Sequence, residues 1–110
     1  MIPASVRVFV CLEPTDMRRG FDRLALQART IVGEDPVKGG ALFVFANRGA
    51  TRLKLVWFEH NGCCVLYKRL HRAVFEMPIA VGSTSVNIDS AALAKLLAGV
   101  ARERQRAVRK

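Results

Sequence analysis

The chain is poor in the residues from which enzyme sites and disulfide scaffolds are built. Its 110 residues include three Cys, two His, one Trp and one Tyr. An odd cysteine count argues against a disulfide framework. Cys63 and Cys64 are adjacent, so on a strand they point to opposite faces and do not share a metal easily. There is no C-x-x-C and no His pair at metal spacing. All three cysteines therefore read as buried free thiols, and no metal is expected.

Long apolar runs are also missing. None approaches the roughly 20 residues that a membrane helix needs. The start, Met1-Ile2-Pro3-Ala4-Ser5, lacks the charged region and small-residue cleavage site of a signal peptide. The expectation is a cytoplasmic protein, prokaryotic by composition, with no membrane partner. Glycine-rich phosphate loops, H-E-x-x-H and G-x-S-x-G are absent as well. His60 and His71 have no acidic neighbour in sequence to orient them as bases. Cys63 and Cys64 lie beside a turn signal, without the helix N-terminus that activates a thiol. The nine carboxylates are scattered, whereas metal-dependent strand transfer needs several to converge. The reading is a protein that is not an enzyme and has no cofactor.

Positive charge is abundant. Eighteen Lys+Arg against nine Asp+Glu give a net charge of +9. So strong a balance in one small domain, residues 1–110, points to an anionic partner, with nucleic acid ahead of lipid. Arg outnumbers Lys, which suits fork-like phosphate contacts.

The stretch Ala41–Met77 organises the rest. It holds the only Trp, the only Tyr and most of the Phe. Asn47-Arg48-Gly49-Ala50 and His60-Asn61-Gly62 divide it into three β-rich runs, and Asn-Gly between apolar runs signals a hairpin. With Asn61-Gly62 as the loop, Lys54 would face Arg69, Val56 would face Tyr67 and Arg52 would face His71. A four-residue loop at 47–50 would set Phe43 against Lys54. Alternation then gives one face Leu42, Val44, Leu53, Leu55, Trp57, Leu66 and Leu70, with Lys68 at odds with it. The other face receives Phe43, Phe45, Arg52, Lys54, Val56, Tyr67, Arg69 and His71.

Around this meander, Ala4–Leu12 reads as a strand and Val74–Met77 as a short fourth strand of the meander. Ser85–Ile88 reads as an edge strand. A helix capped by Thr15 or Asp16 runs to Val32, with Met17, Phe21, Leu24, Ala28 and Ile31 as its apolar stripe. A last helix runs from Ser90 to about Arg104, with Leu93, Leu96, Leu97 and Val100 as its stripe, and 102–110 form a basic tail. The fold class is α+β: an antiparallel β-meander of about five strands, an N-terminal-half helix and a C-terminal helix.

Aromatics among cations can stack bases while phosphates pair with the cations. The opposing reading covers Phe43, Phe45 and Tyr67 with a helix or a second subunit, which makes a homo-oligomer a further expectation. The nucleic-acid-binding candidates are Arg18, Arg19, Arg48, Arg52, Lys54, Lys68, Arg69 and Arg72.

Thr15-Asp16-Met17-Arg18-Arg19-Gly20-Phe21-Asp22, Leu42-Phe43-Val44-Phe45-Ala46-Asn47-Arg48, Arg52-Leu53-Lys54-Leu55-Val56-Trp57-Phe58 and Leu66-Tyr67-Lys68-Arg69-Leu70 follow one another in a familiar order. The chain resembles the small TnpB-type accessory protein, the second open reading frame, of the insertion-sequence-sixty-six transposons. The resemblance implies a bacterial mobile element that also encodes a large transposase with an acidic catalytic triad and a second small accessory protein similar to a helix-turn-helix repressor. It implies a role in DNA transposition and carries over no catalytic residue. Two functions follow as expectations: a non-enzymatic accessory protein that binds DNA through its basic surface, or an adaptor that binds the transposase without touching DNA.

Overall fold

The computed structural model describes residues 6–59 and 62–101. Ala4, the His60-Asn61 turn and the basic tail lie outside them. The elements run β1 (Arg7–Cys11), α1 (Phe21–Gln27), β2 (Ala41–Ala46), β3 (Arg52–Glu59), β4 (Gly62–Arg69), β5 (Ala73–Val74), β6 (Ser85–Ile88), α2 (Ser90–Ala98) and β7 (Val100–Ala101). Five strands form one sheet in the order β4-β3-β2-β1-β6, and β5 pairs with β7 in a separate two-stranded sheet.

The α+β class holds, but the sheet is mixed. β2, β3 and β4 form the antiparallel meander. β1 lies parallel to β2 and antiparallel to β6. The physical reason is the connection: a chain that leaves β1, folds a helix and returns can re-enter the sheet beside β1 in the same direction. β2 is then central, and all six of its residues are buried, as a strand covered on both sides requires.

The expected alternation sorts the core. One cluster joins Val8, Val10, Leu42, Val44, Leu53 and Leu55 to Phe75, Leu93 and Leu96. The other joins Cys11, Phe43, Phe45 and Val56 to Leu24 and Ala28, with Met17, Phe21 and Ile31 packed against it. Every residue of the expected first-helix stripe is therefore used. The helix itself starts five residues late, at Phe21, with Gly20 as an N-cap that makes no side-chain bond. Its end continues as a π-helical turn, Ala28–Val32, closed by Gly33.

Both hairpin registers differ from expectation by two residues. Phe45 faces Lys54 and Phe43 faces Val56. Lys54 faces Tyr67, and Arg52 faces Arg69. In the first hairpin, the Asn47 carboxamide oxygen accepts from the N–H groups of Thr51 and Arg52, 3.0 Å each. Asn47 thus ends the ladder instead of sitting in the loop. In the second, Gly62 pairs with Glu59 as a strand residue. A slip of two keeps every side chain on its face, so the face assignment survives although the opposing pairs change.

The expected fourth meander strand leaves the meander, because β5 pairs only with β7. That pairing takes Val100 and Ala101 out of the expected last helix, whose remaining span, 102–104, lies outside the described residues. Asp89 caps α2 by accepting from the Ala92 N–H at 2.8 Å. Gly99, at φ +74°, ends it, and a Cβ there would lie 2.7 Å from Leu70 Cδ1 and 3.1 Å from the Val74 carbonyl oxygen. Gly99→Ala is therefore expected to cost about 1–3 kcal/mol. The check is a lower urea midpoint at unchanged slope.

Candidate nucleic-acid interface

Three turns meet at one end of the sheet, where β2 stops, β3 begins and β4 stops. The Thr15 N–H donates to the Ala46 carbonyl at 2.8 Å, which brings the 15–20 turn there. The Leu70 N–H donates to Thr51 and the Phe75 N–H to Ala50, at 2.9 and 2.7 Å, which tie the 69–75 segment to the 47–51 turn. Among the described residues, the only residues other than glycine with positive φ are Ala50 and Arg72, both at +56° and both at this end. Left-handed backbone costs such residues about 1–2 kcal/mol each.

Seven of the eight candidate cations come from these turns and the adjoining strand ends, and they divide by what holds them. The Asp16 carboxylate accepts from the Arg18 backbone N–H at 2.9 Å, from Nε at 3.0 Å and from Nη2 at 2.8 Å. Arg18's side-chain hydrogen bonds, then its backbone N–H, hold the Asp16 carboxyl well below the usual carboxylate range. The carboxylate's contribution to the turn is present above the ordinary aspartate pKa and is lost as pH falls from there toward the depressed value. Arg19 Nη1 donates to Gln27 Oε1 at 2.7 Å, and Gln27 Nε2 donates to the Thr15 hydroxyl at 2.7 Å. Lys54 Nζ donates to the Arg19 carbonyl at 2.9 Å and lies 5.3 Å from the Tyr67 ring centre. Arg18 and Arg19 thus belong to a turn before α1, not to the first turn of the expected helix.

Lys68 is the eighth candidate and lies on the opposite face. Its Nζ donates to the Leu97 carbonyl at 2.7 Å, the C-terminal end of α2, where a cation is favoured. That contact resolves its placement on an apolar face.

Arg48, Arg52, Arg69 and Arg72 remain. None makes an ion pair among the described residues. Arg52 and Arg69 are direct partners across β3 and β4. The Leu70–Thr51 bond makes that neighbouring pair hydrogen-bonded, so Arg52–Arg69 is a non-hydrogen-bonded pair, about 4.5 Å between Cα atoms. Like charges at that spacing repel.

The aromatic part of the expected interface is corrected. Phe43 and Phe45 are fully buried under α1, so neither can stack a base. Tyr67 is 52% exposed beside Lys54, and it alone of the three stays open. Nothing in the composition separates these three aromatics; only the crossover helix does. The cysteine expectation is also corrected in part: Cys11 is buried, Cys64 half-buried and Cys63 exposed. Burial, aided by the Glu59 carboxylate, pushes the Cys64 thiol up, away from a reactive thiolate. Among the described residues no three His, Cys, Asp or Glu gather to hold a metal. No described helix is long and apolar enough to cross a membrane.

The fold defines a basic α+β domain with a cluster of arginines at one end of its sheet. The profile of the IS66 Orf2-like protein family matches residues 6–107, and the chain belongs to that family. It is therefore a protein associated with an insertion sequence. The chain is also 39% identical over 102 residues to the uncharacterized protein y4hO of Sinorhizobium fredii, a match that covers 91% of this chain and 87% of the relative. No solved structure matches it.

Proposed function

We propose that the protein is a non-enzymatic accessory factor in transposition that holds DNA by its phosphates at the basic end of the sheet. The observation that carries this reading is the direct opposition of Arg52 and Arg69, flanked by Arg48 and Arg72. The fold keeps mutually repelling cations, and strained backbone at Arg72, where an anion would relieve the repulsion. Phosphate contacts position a protein on DNA and carry little sequence information. The expected result is therefore similar affinity for a transposon-end duplex and a random duplex.

A gel-shift panel of end duplex, random duplex and single strand at two salt concentrations tests it. Binding should weaken steeply with salt, because each phosphate contact releases condensed counterions. With Phe43 and Phe45 buried and Tyr67 left as the one open aromatic of the three, no preference for single strand is expected. Absence of binding at low salt, together with stable co-purification with the transposase, would replace this reading with the adaptor.

A further inference from the structure

The two edges of the five-stranded sheet are unlike. β6 is four residues long, and short edges are self-protecting. β4 is eight residues long, and its middle carries three consecutive exposed apolar side chains, Val65 (43%), Leu66 (44%) and Tyr67 (52%). Beside Leu66, Leu42, Leu55, Trp57, Phe58 and Leu97 line an open apolar groove of about 590 Å³. An edge of this length and composition normally pairs with something.

The hydrogen-bond phase says which groups no described strand takes. Leu70 donates to Thr51 in register with the β3–β4 ladder, so Leu66 and Lys68 direct their backbone groups to β3. The N–H and C=O groups of Cys63, Val65, Tyr67 and Arg69 then point outward.

We propose that this edge joins a second copy of the chain, β4 to β4, antiparallel about a two-fold axis at Leu66. An isologous contact must be self-complementary. In this register Leu66 faces the partner's Leu66, and Val65 faces the partner's Tyr67, so the apolar triplet meets only itself. Shifting the axis to Tyr67 sets Val65 against the partner's Arg69 and Leu66 against the partner's Lys68. Shifting it to Val65 sets Leu66 against Cys64 and Tyr67 against Cys63. Only the Leu66 axis matches apolar with apolar throughout the triplet. It also handles the charge. Antiparallel pairing sends the two Arg69 residues to opposite ends, about 20 Å apart along the strands. That exceeds the screening length of about 10 Å at 0.1 M salt. The dimer forms one continuous ten-stranded sheet, which removes both β4 edges.

Sedimentation equilibrium of the full chain, nuclease-treated and at high salt so that nucleic acid cannot bridge copies, should show a dimer. Leu66→Lys sets two cations face to face and should raise the dissociation constant about tenfold or more, with an unchanged circular dichroism spectrum. In a Cys63→Ser, Cys64→Ser background, Leu66→Cys should cross-link two chains under mild oxidation and Tyr67→Cys should not, because only position 66 faces itself. A monomer at all concentrations, a dimer untouched by Leu66→Lys, or cross-linking at position 67 in place of 66 would each overturn the proposal. None of these outcomes bears on DNA binding, which the gel shifts read separately.

Discussion

Phe43→Ala is expected to lower the unfolding free energy by about 3–5 kcal/mol, close to the whole stability of a marginal domain. Phe43 is fully buried at the centre of the sheet. It is paired with Phe9 on one side and Val56 on the other. Its ring stacks on Phe9, centroids 5.6 Å apart, and packs in the cluster that includes Leu24 and Ala28. Removing the ring loses its transfer energy and leaves a cavity between two elements that cannot both close on it. Ile79→Ala is the control. That side chain is 90% exposed and lies away from the β4 edge, so its loss should stay within about 0.5 kcal/mol. Urea unfolding followed by far-ultraviolet circular dichroism measures both. A Phe43→Ala protein of native stability that fails to bind DNA would make Phe43 a base-stacking residue and this packing wrong.

The same residue shows how much was legible beforehand. Alternation placed Phe43 and Phe45 on the face shared with Arg52, Lys54 and Tyr67, and they are there. What covers that face was less legible. The stripe Met17, Phe21, Leu24, Ala28, Ile31 was visible, but not that it would lie over Phe43 and leave Tyr67 open, since that depends on β1 and β2 running parallel. Local signals could not give this, because Val8 and Val10 read the same whichever neighbour they pair with. The helix start is not legible in the sequence because Thr15 and Asp16 look like caps. In the fold they serve a turn, with Thr15 bonded to Gln27 and Asp16 to Arg18.

The hairpin registers failed for a different reason. Turn chemistry predicts the loop from residue type, but Asn47 pairs with Arg52 as the last ladder residue: its N–H donates to the Arg52 carbonyl while its carboxamide oxygen takes the Thr51 and Arg52 N–H groups. That moves every opposing pair of β2 and β3 by two positions; in β3 and β4 the same shift comes from Gly62, which pairs with Glu59 as a strand residue instead of sitting in the loop. The faces, fixed by period, were therefore robust, and the candidate charge pair was not. Lys54 was expected opposite Arg69, and the structure puts Arg52 there. Of the eight candidate cations, four make hydrogen bonds that composition cannot foresee.

That difference defines the second large effect. Arg52→Gln with Arg69→Gln should weaken DNA binding by about one to two orders of magnitude at low salt, since two charge-assisted phosphate contacts are lost. The salt slope should fall by about two, on end and random duplex alike. Stability should hold or rise by a few tenths of a kcal/mol, because a like-charge pair directly across the strands is removed. Lys54→Gln should behave in the opposite way. Its ammonium donates to the Arg19 carbonyl, so the substitution should cost about 1 kcal/mol and leave the salt slope nearly unchanged. Paired measurements of urea midpoint and salt-dependent affinity on the three proteins separate the roles. If Lys54→Gln carries the slope change and the arginine double substitution does not, the anion lies over Tyr67 instead of at the turn. If neither changes the slope, the basic end does not touch phosphate, and the repelling pair has another partner.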